Sequence, residues 1–218
     1  MVTLALDAST YTGTVAVWDG ATLLAEGEAA MRGELQERLM PEVAATLGRA
    51  GLAVADVRRV VCGAGPGSFT SLRIAGAVAK GIAMGNDVPL FAVSSLALIV
   101  AGQKTPVAGK YFALLDAMRG EFYGALCDVD AAGTVRLDHP FARVAAEEIA
   151  TVCRDLGATA IGPAQAVDVL PHARGALVLL RGLEPVSLDS WEPEYGRLAE
   201  AQVKWELAHG RRLSTGRS

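Results

Sequence analysis

The segment LALDAST, residues 4–10, returns as ALLDAMR at 113–119, with Asp7 and Asp116 standing 109 positions apart. At the same offset TVAVWD, starting at Thr14, meets YGALCD, starting at Tyr123. Each copy reads as an apolar strand, an aspartate turn and a returning strand. Self-similarity of this kind constrains the fold more than any local propensity, because each copy is one supersecondary unit. It predicts two related lobes, 1–103 and 104–218. The division falls in 101–110, where Gly102, Pro106 and Gly109 cluster.

The first copy continues in a readable order. Val2–Asp7 and 14–18 look like strands, and Asp19-Gly20 turns the chain into a third at 22–28. Leu35, Leu39, Val43 and Leu47 recur every fourth residue. That spacing predicts a helix over 33–50, kinked by Pro41 and closed by Gly51. A strand at 57–62, a helix at 70–85, a strand at Leu90–Val93 and a helix capped near Ser94 or Ser95 follow. The order is βββαβαβα. The second copy holds less: one helix near 145–156, a strand near 158–162, and a last helix about 196–209 expected to pack back on the first lobe. Such a duplicated α/β pattern resembles the actin-like, Hsp70-like (ASKHA) superfamily of paired ribonuclease H-like lobes, here with the second lobe shortened.

Composition narrows the function classes. The chain is 51% hydrophobic and 20% charged, which fits a globular domain. Its net charge is −4 and it has no long basic run, so it lacks the electrostatic footprint of a nucleic-acid-binding domain. The tail from Lys204 is the exception, with Lys204, Arg211, Arg212 and Arg217 against Glu206; it reads as a solvated end. Cys62, Cys127 and Cys153 are widely spaced and form no C-x-x-C, so neither a zinc site nor a disulfide framework is indicated. No apolar run reaches the length of a membrane span, and the expected compartment is cytoplasmic.

The stretch CGAGPGSFTSLRIAGAVAKG, residues 62–81, raises the question of phosphate binding, since a glycine-rich turn leads straight into a helix N-terminus. A Walker loop would need a lysine after Gly67, and Ser68 stands there. Gly63, Gly65, Gly67 and Ser68 therefore shape either a tight backbone passage or an anion site. Asp7, Ser9 and Thr10 in one copy and Asp116 in the other stand at strand ends where a kinase of this superfamily holds metal and phosphate; aspartate also caps turns. His139, His172 and His209 form no paired signature, so no metal site is expected. The helix at 70–85 is apolar nearly all round and rich in small residues, which implies burial on more than one side.

These segments together resemble the TsaB family, formerly YeaZ. LALDAST, GELQERLMPEV at 33–43, the glycine-rich stretch, LLDAMRGEFY at 114–123 and WEPEYGRLAEAQVKW near the C-terminus, with Tyr195 and Arg197, carry the resemblance. It implies a non-catalytic subunit, with no cofactor of its own, in the formation of threonylcarbamoyladenosine in tRNA. Its implied partners are the paralogue TsaD, which holds the metal and the chemistry, and TsaE; tRNA would be met only through the complex. The H-x-x-x-H of TsaD is missing from 33–43, and Leu35 stands where the family commonly has histidine. Arg119 is shifted by one from the family pattern. The resemblance also implies that the first two helices pair with those of TsaD, or with a second copy when TsaD is absent. On that basis the expected interface is Leu35, Leu39, Val43, Leu47, Leu72, Ala75, Gly76 and Ala79, and the phosphate-loop residues are vestigial. Two other classes stay in view: a small ATPase or kinase of the same fold, and a metallohydrolase.

Overall fold

The computed structural model describes residues 1–33, 37–137 and 140–196. Strands β1 (Val2–Asp7), β2 (Thr12–Asp19) and β3 (Thr22–Ala30) form an antiparallel meander. Gly20, at φ +56°, takes the left-handed position of the first hairpin turn. After helix α1 (Leu39–Arg49) come β4 (Arg59–Gly63), α2 (Phe69–Asn86), β5 (Leu90–Val93) and α3 (Ser95–Ala101). The sheet order is β3-β2-β1-β4-β5, with β4 parallel to β1 and β5 parallel to β4. Parallel neighbours need crossovers, and the helices supply them.

The second half repeats the plan. β6 (Gly109–Asp116) and β7 (Glu121–Val129) pair antiparallel, and the third strand is split into β8 (Val135–Leu137) and β9 (Ala142–Ala145), both on β7. Helix α4 (Ile149–Leu156) leads to β10 (Thr159–Gly162), parallel to β6, and then β11 (Val167–Asp168). The order β11-β10-β6-β7-β8 matches the first sheet strand for strand. This is the duplicated, actin-like α/β fold. The second lobe keeps the strands and loses helix: α4 has 8 residues and α5 (Ala176–Leu179) has 4, against 18 in α2.

Three expectations need correction. Register pairs Asp7 with Thr14 but Asp116 with Phe122, so the second hairpin is one residue shorter. The core-facing partner of Val15 is therefore Tyr123, opposite Leu115 as Val15 is opposite Leu6, and the constant offset slips by one in the returning strand. Secondly, α1 begins at Leu39, where the Glu37 carboxylate accepts the Leu39 and Met40 amides. Thirdly, Pro41 falls in the first turn of α1, where its missing N–H has no intrahelical bond to lose, so no kink is required. Residues 34–36, including Leu35, and the expected last helix lie outside the described residues, as do His139, His209 and the basic tail.

All seven residues of α3 are buried. Leu96, Ile99 and Val100 join the core of the second sheet, while Leu98 meets Ala5, Ala16 and Val61 of the first. A helix that is apolar throughout after Ser95 thus becomes the joint between the lobes. Beside it, the segment around residues 171–180 crosses back. The Ala173 amide donates to Thr14 Oγ1 at 3.0 Å, and Arg174 pairs with Glu26 at 3.2 Å. His172 is buried in this seam; its Nδ1 accepts the Arg174 amide at 3.0 Å, which leaves the proton on Nε2. Nε2 stands 3.9 Å from Glu28, a contact that becomes an ion pair only on protonation. Burial, with Arg174 and Lys104 adding positive charge, pushes the His172 pKa down from 6.5 to about 4.

The sign follows. The unfolded chain takes up this proton near pH 6.5 and the folded chain does not, so His172 contributes stability above pH 6.5 that is lost as pH falls toward 4. The loss approaches about 3 kcal/mol on the scale of 1.4 kcal/mol per unit. Urea unfolding at pH 7, 5.5 and 4.5 should show the wild type losing stability relative to His172→Gln as acid is added. A gap that stays constant with pH would contradict this placement of the proton.

Candidate functional site

Asp7 ends β1, the central strand of its sheet, and is 0% exposed. Its Oδ1 accepts the Ser9 amide at 2.9 Å and the Ser9 hydroxyl at 2.8 Å; its Oδ2 accepts the Ser95 hydroxyl at 2.5 Å. Burial holds this carboxyl above the ordinary carboxylate range, and the hydrogen bonds from Ser95 and Ser9 pull the other way. Ser94 caps α3, its hydroxyl oxygen facing the Ala97 amide at 3.4 Å, which leaves Ser95 free to reach Asp7. Cys62 lies beside the same carboxylate, and burial together with that negative charge pushes its thiol far up, away from nucleophilic chemistry.

The glycine-rich turn is closed around this carboxylate. A Cβ on Gly63 would stand 1.9 Å from Asp7 Oδ2, and one on Gly67 would stand 2.2 Å from the Ser9 carbonyl oxygen. Three of the turn's amides are spent inside the protein. Ala64 donates to the Val93 carbonyl at 2.7 Å, Gly65 to Ser95 Oγ at 3.0 Å, and Ser68 to the Ser9 carbonyl at 2.7 Å. A strap formed by residues 186–196 covers the turn from outside. The Val186 amide donates to the Leu90 carbonyl, and the Glu194 amide to the Ala64 carbonyl, at 2.8 and 2.7 Å. The Glu194 carbonyl oxygen would meet a Cβ on Gly65 at 2.4 Å. Of the two readings left open by the sequence, backbone passage accounts for these donors.

Asp116 makes the same turn in the open. Its Oδ1 accepts the Met118 amide at 2.7 Å, as Asp7 accepts that of Ser9, but Asp116 is exposed. Between the lobes lies a cleft of about 1100 Å³, lined by Ser9, Thr10 and Ser68 on one wall and Asp116 and Arg119 on the other. Thr10 is occupied locally, donating to the Thr12 carbonyl at 3.0 Å. The structure thus gathers Asp7, Ser9, Gly63, Gly65 and Gly67 into one knot, which Ser9 and Gly67 bring to the cleft wall, and leaves Thr10, Ser68 and Asp116 on the cleft. Among the described residues, no three His, Cys, Asp or Glu side chains come close enough together to hold a metal ion.

The expected interface residues are corrected. Leu39, Val43, Leu47, Leu72, Ala75 and Ala79 are 0–1% exposed, and all of them but Leu72 pack with Leu4, Leu6, Val15 and Val17 in the first lobe's own core. A side chain with no exposed surface cannot meet a second chain; the fourfold stripe is the face that each helix lays on its sheet. Gly76 lies under the strap, where an added Cβ would sit 3.2 Å from Pro193 and 3.7 Å from Trp191. The outward face of α2 is a different set: Arg73, Ala77, Gly81, Met84 and Gly85 are exposed, Met84 at 64%. Ala77 and Gly81 also border an open apolar groove of about 510 Å³ with Met40, Val54, Val78 and Ile82. Small residues on both sides of α2 left the sequence without a signal for which side faced out. Ser95 and the strap were missed because nothing in the sequence ties position 95 to position 7, or position 194 to position 64.

A family model described as "TsaD: tRNA N6-adenosine threonylcarbamoyltransferase" matches residues 29–156. The chain is 36% identical over 123 residues to the tRNA threonylcarbamoyladenosine biosynthesis protein TsaB of Escherichia coli K12, and 35% identical over 126 residues to that of Bacillus subtilis 168. The chain belongs to this family, on its TsaB (YeaZ) branch. The alignments take in 56% and 58% of the chain and 53% and 55% of those proteins, so the match spans about half the length of these TsaB relatives. A solved structure of YeaZ from Pseudomonas aeruginosa is similar at a TM-score of 0.75 and 28% identity, covering 89% of this chain and 99% of that one. The two-lobed fold is therefore shared with a YeaZ protein nearly end to end. Among the described residues, no helix is long and apolar enough to cross a membrane.

The Asp7 knot generates a test. Its carboxyl binds a proton more readily folded than unfolded, so any stability it lends is present at acid pH and is lost as pH rises through the folded value. Asparagine keeps the acceptor for Ser9 and offers an N–H to Ser95 Oγ. Asp7→Asn should fold, and its stability relative to wild type should rise between pH 4 and pH 7 in urea titrations. A relative stability that falls over that range would contradict the assignment.

Proposed function

We propose that this protein is a non-catalytic scaffold in the formation of threonylcarbamoyladenosine in tRNA, acting with TsaD and TsaE and leaving the chemistry to TsaD. Membership of the TsaB branch supplies the pathway. The observation that carries the scaffold role is the outward face of α2. Ala77, Gly81 and Gly85 let another backbone approach closely, and Met84 is exposed at 64% beside the α1–α2 groove. The same face would serve a homodimer when TsaD is absent. In support, Asp7, one of the two aspartates that a kinase of this fold would use, is sealed behind Ser9 and Ser95.

One feature favours a second reading, a small ATPase: the interlobe cleft is large enough for a nucleotide. Against it stand the amides of Ala64, Gly65 and Ser68, already bonded inside the protein. ATP turnover by the pure protein that disappears in Asp7→Asn would favour the ATPase.

A Cβ on Gly81 meets nothing within 4 Å, so Gly81→Arg leaves the free chain undisturbed, and Ala77→Arg replaces an exposed residue. Either arginine would bury an uncompensated charge in the contact, at about 3 kcal/mol or more, equivalent to a hundredfold loss of TsaD binding. Reconstitution with TsaD, TsaE and the enzyme that forms threonylcarbamoyl-adenylate should show tRNA modification falling with TsaD binding, while circular dichroism stays native. Asp7→Asn should keep most activity. Unchanged TsaD binding in both arginine variants would remove this surface from the account.

A further inference from the structure

The cleft carries cations that the scaffold role does not use. Arg32 projects from the first lobe, its guanidinium 4.2 Å above the ring of Tyr11. Arg119 projects from the second, in the β6–β7 turn, where Met118, Arg119 and Gly120 all hold positive φ at 67°, 60° and 78°. Both arginines line the cleft and are exposed, and neither has a hydrogen bond or ion pair among the described residues. Arg143, on the same cleft, is paired with Glu121 at 3.5 Å. At the mouth, Phe69 and Tyr195 hold their ring centroids 4.5 Å apart, and Arg73 lies 5.4 Å from the Phe69 ring. Two uncompensated guanidinium groups from separate lobes, with aromatic faces beside them, thus share one opening in a chain of net charge −4.

This chemistry distinguishes between phosphate ligands. A nucleoside triphosphate with its cation needs a cradle of free amides and clustered carboxylates. Here Ala64, Gly65 and Ser68 have spent their amides, and Asp7 is sealed. Beside the single exposed carboxylate of Asp116, what remains is separated single positive charges and stacking surfaces, the pattern that suits a single-stranded phosphodiester with unstacked bases. Arginine planes and aromatic rings stack on any base, and isolated guanidinium groups neutralise successive phosphates without reading sequence.

We propose that this cleft is an RNA contact site in which Arg32 and Arg119 grip the phosphodiester backbone of a single-stranded segment and Tyr11 and Tyr195 offer faces to its bases. The proposal rests on the tRNA-modification reading for the identity of the RNA. It differs from that reading in giving this chain direct contact with the substrate. Few charges are involved, so binding is weak and strongly salt-dependent, which accommodates the absence of any basic run in the sequence.

The test uses the full chain alone, so that failure to bind TsaD and failure to bind RNA are read separately. Fluorescence anisotropy with a labelled anticodon stem-loop at low salt should show saturable binding. Arg32→Gln and Arg119→Asn, the latter tolerant of a left-handed backbone, should each weaken it several-fold. Each should also lower the slope of log affinity against log salt by about one. Lys110→Gln, at the opposite end of β6, should change neither. Photocrosslinks should map to Tyr11 or Tyr195. Three results would overturn the proposal: no binding by the wild type at low salt, unchanged affinity in both arginine variants, or displacement of the RNA by micromolar ATP or AMP, which would make the cleft a nucleotide pocket. Unchanged TsaD binding in the arginine variants, set against their RNA loss, would separate this site from the α2 face.

Discussion

A carboxylate with no exposed surface must find its partners inside the protein, and Asp7 finds them at two distant places in the chain. Ser9 follows it in the turn; Ser95 opens the helix that joins the two sheets. One set of hydrogen bonds therefore ties the end of the central strand to the glycine-rich turn and to the start of α3. The turn can close over this knot because Gly63 and Gly67 bring no side chain to it. A buried donor or acceptor left without its partner costs about 1–3 kcal/mol, so the members of the knot stand or fall together. The interlobe geometry rests on the same place, since α3 buries one side against each sheet.

The knot also decides what the fold is free to do. The amides of Ala64, Gly65 and Ser68, in the turn before the helix, are here donors to Val93, Ser95 and Ser9, and the strap through Glu194 packs on the turn at Ala64 and Gly65. The glycine-rich turn serves here as an internal joint. The function we propose uses surfaces that the joint holds in place: the outward side of α2, and the cleft between the two aspartate turns.

Much of this was legible in the residues. The repeated LALDAST and ALLDAMR runs foretold two sheets of one topology, because the aspartate turn is a local device that its own sequence specifies; both aspartates accept the amide two residues on. Helix α2 and strand β5 fell where the spacing put them. The slipped match in the returning strand had a simple cause: hairpin length is set by turn geometry, and the second turn is a residue shorter. The interface residues were misplaced for a deeper reason. Periodicity shows that Leu39, Val43 and Leu47 share a face but not what that face meets, and a lobe's own sheet has first claim on an apolar stripe. In α2, where both sides are small, only the three-dimensional packing of Pro193 and Trp191 on Gly76 separates inside from outside. Long-range pairs such as Asp7 with Ser95 leave no trace in one sequence, since neither residue type is unusual at its position.

Helix α2 has an inner face sealed by its own chain, and the function we propose keeps its outer face for a partner. Single cysteines placed in a Cys153→Ser background, where Cys62 and Cys127 are buried, test this central claim most directly. A thiol reagent should modify Ala77→Cys readily in the free protein and slowly once TsaD is added, while Ala75→Cys should stay unreactive throughout. Rapid labelling at position 75, or undiminished labelling at position 77 in the presence of bound TsaD, would contradict it.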